Sequence, residues 1–314
     1  MILRVGTRGS KLAMLQTEMV IQKLKSVNSK LEFKIKIIKT TGDVNRQKPL
    51  FAIESKGIFE KEIDQAIMKG DIDFAVHSLK DVPVYEQQCS AEDLELAAIP
   101  KRDPPNEALV STRNLAFAEL PKGAVIGTSS LRRMAQIKFM RPDLEVKPTR
   151  GNIDTRAQKV KRGEFHGIIV AQAGLERMGF GNLISEVFPL EVFTPAAGQG
   201  ALAVVAKKDR SDLSEILKAV DDFHTRAEVT AERSLIASLK GGCHFPIGAI
   251  AQVKDNRLSL YGCIFSLDSL KKISAFAQGS INEAQALGGR VAQSLLSQGA
   301  EDFAAEWRQK YGLQ

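Results

Sequence analysis

The chain has 314 residues, of which 44% are hydrophobic and 26% are charged, and its formal net charge is +7. This length exceeds what one hydrophobic core usually holds, so two or three domains are expected. All apolar runs are strand-sized and only 6% of the residues are aromatic, so we expect no membrane span and no nucleic-acid partner despite the basic balance.

The first hundred residues alternate between strand and helix patterns. The predicted elements are strand 2–7, a helix from Ser10 through Leu24, strand 32–38, helix 59–68 and strand 73–78. Ser10 can cap the first helix because its hydroxyl accepts hydrogen bonds from free helical N–H groups. This alternation is typical of an α/β domain with a mostly parallel sheet.

A second α/β pattern follows the proline-rich stretch 100–106, which we interpret as a crossing or hinge. Its predicted elements are strand 124–127, helix 129–140, strand 144–149, helix 153–162, strand 167–171 and strand 201–206. The last third predicts helix 226–239, strands near 246–253, 257–265 and 271–278, and one terminal helix over about 282–308. This part indicates a small α+β domain with a three-stranded antiparallel sheet.

The cysteines Cys89, Cys243 and Cys263 are few and far apart, which argues against a disulfide framework and fits a reducing compartment. The N-terminus enters a strand pattern at once without an apolar signal stretch, so we expect a cytoplasmic protein. Cysteines and histidines show no ligand spacing, so no metal site is expected. No long unpaired apolar stripe demands a partner, which favours a monomer.

The segment between residues 132 and 162 has ten Lys/Arg and three Asp/Glu, so its net charge of +7 equals that of the whole chain. Arg132 and Arg133 follow one glycine- and serine-rich turn, and Arg150 and Arg156 bracket another. Guanidinium groups bind carboxylates or phosphates bidentately. We therefore predict an oxyanion site; the alternative is a solvated face with nothing bound.

Hydroxyl groups and helix starts accompany these arginines. Thr128, Ser129 and Ser130 lie where a helix begins, and the N–H groups and dipole of a helix N-terminus favour an anion. Arg8, next to Gly9 and Ser10, repeats the arrangement in the first half of the chain.

Of two further motifs, one is rejected as a binding site and the other is kept. The run Gly198-Gln199-Gly200 matches a relaxed dinucleotide fingerprint, but it precedes a strand instead of opening a helix, so we reject it. Lys80 and Asp81 lie where a strand ends, the edge that faces the ligand crevice in open α/β sheets. An ionised carboxylate there can stabilise a cation that develops beside it; the alternative is a surface turn with an incidental ion pair.

Gly241 and Gly242 precede Cys243 at a predicted helix-to-strand junction. Glycines permit unusual backbone angles and close approach of another group, which suits a thiol presented on a loop for a nucleophilic or covalently modified role. Most free cysteines are small buried hydrophobes, and Cys89 and Cys263 keep that interpretation.

Taken in order over nearly the whole chain, these segments resemble the porphobilinogen deaminase family. The motifs that carry the resemblance are Thr7-Arg8-Gly9-Ser10, Lys56-Gly57-Ile58-Phe59, 77–83, 127–133, Arg150-Gly151-Asn152, 195–201, Ala231-Glu232-Arg233 and Gly241-Gly242-Cys243. The resemblance implies an α/β fold with two type II periplasmic-binding-protein-like lobes, whose sheets are mixed and mostly parallel, and a C-terminal α+β domain. Lobe 1 would comprise 1–99 and 194–216, lobe 2 would comprise 100–193, and the cofactor-attachment domain would comprise 217–314.

The resemblance also implies a transferase of porphyrin and heme biosynthesis. Members join four porphobilinogen molecules head to tail with release of ammonia, and hydrolysis then frees the linear tetrapyrrole hydroxymethylbilane. A dipyrromethane cofactor, which the enzyme makes from its own substrate, would be covalently attached at Cys243. Each pyrrole carries an acetate and a propionate, so the growing chain is a polyanion that arginines would bind.

Individual roles follow from the resemblance. Asp81 matches the catalytic aspartate, which stabilises the cations that arise during condensation. Residues implied to contact the cofactor, besides Cys243 and Asp81, are Ser78, Lys80, Thr128, Ser129, Ser130, Arg132, Arg133, Arg150 and Gly151. Residues implied to contact the substrate are Arg8, Ser10, Lys56, Arg150, Arg156, Arg177 and Gln199.

Three departures from the family pattern affect substrate contacts. Glu54-Ser55 stand where two glycines are usual, Ala52 stands where some members have lysine, and 103–107 lacks the usual arginine near the hinge. The main rival function is a non-enzymatic anion-binding protein of the same lobed architecture, which would need the arginines but neither Asp81 nor Cys243. A nucleic-acid-binding protein would instead show strongly salt-dependent binding.

Overall fold

The computed structural model describes residues 1–40, 60–83, 93–239 and 245–312. Within these ranges the strands are β1 (Ile2–Thr7), β2 (Glu32–Ile37), β3 (Phe74–Ser78), β4 (Leu94–Ala98), β5 (Glu107–Ser111), β6 (Val125–Gly127), β7 (Glu145–Lys147), β8 (Gly167–Ala171), β9 (Glu186–Val187), β10 (Leu202–Lys207), β11 (Ile247–Lys254), β12 (Arg257–Phe265) and β13 (Lys272–Ser280). The helices are α1 (Lys11–Val27), α2 (Lys61–Met68), α3 (Leu131–Met140), α4 (Ile153–Lys161), α5 (Gln172–Arg177), α6 (Ser211–Lys218), α7 (Phe223–Ser238), α8 (Ala284–Ser297) and α9 (Ala300–Tyr311). None of the helices in these ranges is both long and apolar enough to cross a bilayer.

The described residues fall into two compact units. Unit 1 contains 1–40, 60–83, 93–103 and 200–226, and unit 2 contains the remainder. The chain thus leaves unit 1 between Asp103 and Pro104, inside the predicted crossing, and returns between Gln199 and Gly200. The three-domain limits drawn from the sequence stay a prediction.

Unit 1 is built on a five-stranded sheet in the order β2-β1-β3-β10-β4. Strand β1 runs parallel to β2 and β3, whereas β10 runs antiparallel to both of its neighbours. One face packs on α1 and α6 through apolar residues such as Leu3, Val5, Val20, Phe74 and Leu213. The predicted strands 2–7 and 73–78 and the first helix are confirmed, and Ser10 caps that helix as expected.

Unit 2 repeats this plan with the order β7-β6-β8-β5-β9. Strand β6 is parallel to β7 and β8, and β5 is antiparallel to β8 and β9. In each sheet the antiparallel strand is the one that follows a crossing between the units. This arrangement confirms two type II periplasmic-binding-protein-like lobes with mixed, mostly parallel sheets.

A three-stranded antiparallel sheet, β11-β12-β13, completes unit 2 and confirms the predicted C-terminal strands. Helices α7 and α8 pack so closely on it that a Cβ at Gly262 would lie 2.6 Å from Leu235 and 3.3 Å from Val291. Segment 194–199 joins this part to the second lobe: Pro195 O accepts from Ala249 N at 3.0 Å.

The prediction of one terminal helix over 282–308 is wrong. The structure has two helices, α8 and α9, separated by Gly299 with φ of +93°. This left-handed conformation is easy for glycine and ends a helix, because the N–H groups after the last turn bond back to earlier carbonyls. Gln298 N and Gly299 N bond to Leu295 O and Leu296 O at 3.1 and 3.0 Å.

Candidate functional site

In the described part of unit 1, the predicted site residues lie at the carboxyl ends of β1 and β3. Arg8 directly follows β1, and the Ser10 hydroxyl accepts a hydrogen bond from Ala13 N at 3.2 Å as the cap of α1. Gly6 on β1 pairs with Ala75 on β3, and extending this register by two residues places Arg8 level with residue 77. Adjacent parallel strands therefore bring the Arg8 turn and the end of β3 to one edge of the sheet.

Ser78, Lys80 and Asp81 occupy the end of β3 and the 3-10 turn Leu79–Asp81 that follows it. The side-chain amide of Gln16 donates to Ser78 Oγ at 2.9 Å, which fixes this serine against α1. Lys80 is half-buried and the Asp81 side chain is exposed. The structure thus leaves a carboxylate open to solvent at the carboxyl end of β3, and its role toward a ligand stays a prediction.

His77 is a buried titratable group at this edge. Burial, followed by the charge of Arg8, lowers the pKa of its imidazole to about 4, so the ring is neutral at physiological pH. Its Nε2 atom has no hydrogen-bond partner among the described residues. His77 belongs to the 77–83 motif, but the sequence indicated no role for it.

In unit 2 the predicted hydroxyl groups build the turn between β6 and α3. Ser130 caps α3, its Oγ accepting from Arg133 N at 3.4 Å. Ser129 Oγ donates to Thr149 O at 2.7 Å, and Thr128 Oγ1 accepts from Ser130 N at 3.2 Å. The turn after β6 is therefore tied to the end of β7, where Arg150 follows.

The side chains of Arg132 and Arg133 converge on Glu107, which has no exposed surface. Arg133 Nε and Nη2 donate to the two carboxylate oxygens of Glu107 at 3.0 and 2.7 Å. Arg132 donates through Nη2 to Glu107 Oε1 and through Nη1 to Thr194 O. Burial lowers the pKa of Arg132, and the charge of Glu107 opposes that effect. The structure thus places both arginines in an internal ion cluster, and their contacts with a ligand stay a prediction.

Arg150 and Gly151 lie on the turn between β7 and α4, and Arg156 follows in the first turn of α4. Gly151 has φ of +113°, and a Cβ there would lie 2.8 Å from the Thr155 side chain, so the position favours glycine. Arg156 Nε donates to Gly151 O at 2.8 Å. Burial, with repulsion from Arg133 and Arg150, lowers the pKa of Arg156 to about 10. The guanidinium groups therefore lie close enough to repel one another, and the local potential is positive.

Two predicted site residues, Arg177 and Gln199, do not belong to the turns described above. Two others are not among the residues that the structure describes. Arg177 is the last residue of α5 and is partly buried. Gln199 is fully buried, and its amide donates to Pro105 O at 2.8 Å, so it holds the crossing segment. Lys56 and Cys243, like the departures at 52–55, lie outside the described residues.

Cys263 is buried, as expected, and burial raises the pKa of its thiol. Across the described ranges no three His, Cys, Asp or Glu side chains come together as a metal site would require.

Sequence reasoning missed three residues that organise the arginines: Glu107, Gln136 and Thr194. Gln136 Nε2 donates to Thr194 O at 2.9 Å, and its Oε1 accepts from Thr194 N at 2.8 Å. One available signal was a lone acid at the entrance of the apolar strand β5, because buried carboxylates are almost always paired. A second was the spacing of Arg132 and Gln136, which places both on one helix face.

The fold and these groups define a class: two-lobed α/β proteins that carry arginines on the turns following their parallel strands, suited to multiply charged anions. Family models narrow this class. The model of the "Porphobilinogen deaminase, dipyromethane cofactor binding domain" matches residues 3–215, and that of the "Porphobilinogen deaminase, C-terminal domain" matches residues 226–297. The chain belongs to the porphobilinogen deaminase family.

Curated relatives agree with this assignment. The chain is 43% identical over 304 residues to porphobilinogen deaminase of Desulforamulus reducens, covering 97% of each chain. It is 45% identical over 304 residues to porphobilinogen deaminase of Brevibacillus brevis, covering 96% of each. Among solved structures, it is similar to the periplasmic aliphatic sulphonate binding protein SsuA of Escherichia coli, with 13% identity, 76% of this chain and 70% of that chain covered, and a TM-score of 0.41.

Proposed function

We propose that this protein is a transferase of tetrapyrrole biosynthesis that converts four porphobilinogen molecules and one water into hydroxymethylbilane and four ammonia molecules. Each condensation breaks the bond between the aminomethyl carbon and its nitrogen, and the same carbon then bonds to the free α-carbon of another pyrrole. The proposal is carried by the family match, which includes both the lobes and the C-terminal domain. The anion-binding turns support it from the structure.

The described residues fit the polyanionic dipyrromethane that the family model names. Burial, together with the positive charges of Arg133 and Arg150, lowers the pKa of Arg156 to about 10. A carboxylate bound among them would relieve this repulsion and form charge-assisted hydrogen bonds. Nearby, the buried Thr149 Oγ1 has no hydrogen-bond partner among the described residues. The donors of this region thus suit acetate and propionate groups.

We propose that the Cys243 sulfur holds this group through a thioether bond. When bound, the group supplies the pyrrole carbon on which the chain is built. The residues that would bind its carboxylates and ring nitrogens are Ser78, Lys80, Asp81, Thr128, Ser129, Ser130, Arg132, Arg133, Arg150 and Gly151. Arg132 and Arg133 would do so while sharing their charge with Glu107, so the local charge of this trio stays positive.

Substrate carboxylates would be bound by a second set of residues: Arg8, Ser10, Lys56, Arg150, Arg156, Arg177 and Gln199. Arg8 and Ser10 are supported by their place at the carboxyl edge of the unit 1 sheet, and Arg156 is supported by its cationic surroundings. Gln199 would act through the crossing segment, because its amide already donates to Pro105 O.

Asp81 would stabilise the positive charge that develops on the substrate as ammonia leaves, and it would accept or relay the proton lost on bond formation. Its support is an exposed carboxylate on the turn after β3. At about 4 Å and an effective dielectric near 20, the attraction is roughly 4 kcal/mol. Acting only in the transition state, it would account for about three decades of rate.

We further propose that the protein works in the cytoplasm as a monomer on a small molecule, without nucleic acid or membrane. Dispersed cysteines and the low aromatic content support this. Size-exclusion chromatography with light scattering tests the monomer.

The direct test mixes the purified protein with porphobilinogen and measures ammonia together with the absorbance of oxidised tetrapyrrole. One ammonia per porphobilinogen consumed is expected. Saturable binding of porphobilinogen without ammonia release would instead identify the non-enzymatic anion-binding protein.

A further inference from the structure

We propose that His77 is a further substrate-positioning residue, whose Nε2–H donates a hydrogen bond to the same carboxylate that Arg8 binds. This inference deepens the proposed function and rests on it. It concerns the carboxyl edge of the unit 1 sheet alone.

Extending the β1–β3 register two residues beyond its last pair, Gly6–Ala75, brings Arg8 level with His77. Phe74 and Val76 point into the core cluster beneath α1, so the alternation of a strand turns His77 to the opposite face. Val5 of β1 belongs to the same core cluster and pairs with Phe74. Arg8, three residues further on, therefore shares the face of His77, in agreement with the influence of its charge on the imidazole.

The two neighbours of the imidazole within the described sheet offer no hydrogen-bonding side chain. Ala203 of β10 lies directly opposite His77, and Ala75 precedes it on the same face of β3. Both are small and apolar. His77 is nevertheless only 7% exposed, and its Nε2 has no hydrogen-bond partner among the described residues. A buried polar atom of this kind normally has a partner, which points to a ligand atom.

The chemistry of that ligand atom follows from the charge of the site. Arg8 attracts a carboxylate, and a neutral imidazole adds a directional donor without adding a second buried charge. Burial and Arg8 hold the free imidazole in that neutral form. Arg8 and His77 together would therefore fix the position of the carboxylate at the end of β1 and β3 more closely than Arg8 alone.

The first experiment compares His77→Phe, which keeps a ring but removes the N–H, with His77→Gln, which restores a donor. We expect His77→Phe to raise KM for porphobilinogen about tenfold, the size of a lost hydrogen bond to a charged group, with kcat within about threefold of wild type. His77→Gln should return KM to within about threefold. His224→Phe, at an exposed histidine of the same unit, is the matched control and should change neither constant.

A double-mutant cycle with Arg8→Gln tests whether the two groups share one carboxylate. We expect the KM effect of His77→Phe to shrink by at least about fivefold once Arg8 has been replaced, because coupled contacts are not additive. Unchanged KM in His77→Phe, or full additivity with Arg8→Gln, would overturn the inference. Equal loss in His77→Phe and His77→Gln, with a lowered melting temperature in both, would assign His77 to folding instead.

A spectroscopic measurement gives a readout that does not depend on turnover. The ring 15N resonances of His77, assigned by their loss in His77→Gln, should shift when porphobilinogen is added to wild-type protein and should stay fixed in Arg8→Gln. Unperturbed resonances in wild type would contradict the contact even if His77→Phe failed to fold. Wild-type protein that released no ammonia would refute the proposed function, whereas normal turnover with unperturbed resonances would refute only the role of His77.

Discussion

Replacing Glu107 with glutamine should destabilise unit 2 strongly. Glu107 is the counterion of Arg132 and Arg133, whose side chains are 6% and 8% exposed, while its own side chain is 0% exposed. Glutamine keeps the shape but removes the negative charge and turns N–H donors toward the guanidinium donors. Because breaking a buried pair leaves the remaining charges uncompensated, the free energy of unfolding should fall by about 3–5 kcal/mol.

Unit 2 offers a convenient probe of this effect. Trp307 is the only tryptophan of the chain, is fully buried and donates to Phe265 O at 2.9 Å. Urea titrations followed by its fluorescence therefore report unfolding in the unit that contains Glu107. Glu145→Gln is the matched control, because its 3.1 Å pair with Lys147 joins side chains that are 56% and 59% exposed and are screened by water.

The control should shift the urea midpoint little, and Glu107→Gln should shift it far toward lower urea. A loss below about 1 kcal/mol in Glu107→Gln would refute the reasoning that this carboxylate neutralises the two arginines. Such a small loss would also mean that Glu107 does not compete with a ligand for the guanidinium groups of Arg132 and Arg133.

Other predictions concern unit 1. Asp81→Asn should lower kcat by at least two decades, because it removes the carboxylate that we propose stabilises developing positive charge. A rate near that of the control Asp209→Asn would remove Asp81 from the mechanism. Burial raises the pKa of Asp64 to about 7. Between about pH 4 and 7 the folded protein therefore keeps a proton on Asp64 that the unfolded chain releases, and the free energy of unfolding falls as the pH rises. Relative to wild type, Asp64→Asn should therefore gain about 1.4 kcal/mol per pH unit over this range, measured in urea titrations followed by circular dichroism. The pKa of His77 is lowered to about 4, so the unfolded chain binds a proton that the folded form releases, and wild-type stability rises between about pH 4 and 6.5. His77→Phe should therefore lose stability relative to wild type over this range. Parallel pH profiles of both variants and wild type would contradict the two buried titrations.

Much of the fold follows from local patterns in the sequence. Strand Gly167–Ala171 and the alternation at residues 257–265 are found where predicted, because strand periodicity and turn residues act locally. The short strands Leu94–Ala98 and Glu186–Val187 were not predicted. Their pairing is decided by distant strands, β10 and β5, and not by their own sequence.

The candidate site was predictable in its location but not in its internal pairing. Glycine and hydroxyl residues at strand ends indicated the turns at which we propose that anions bind. The position of Glu107 under Arg132 and Arg133 depends on β5 lying beside β8, a long-range contact that no local pattern reveals. The neutral state of His77 likewise depends on burial in the folded sheet and, second, on the charge of Arg8, 69 positions earlier.

The attachment of the cofactor tests the central claim most directly. Intact-mass analysis of active wild-type protein and of Cys243→Ala, followed by peptide mapping, should show an adduct of two linked pyrroles on Cys243 in wild type alone. Active wild-type protein with the mass of the bare chain, or the same adduct in Cys243→Ala, would contradict the account.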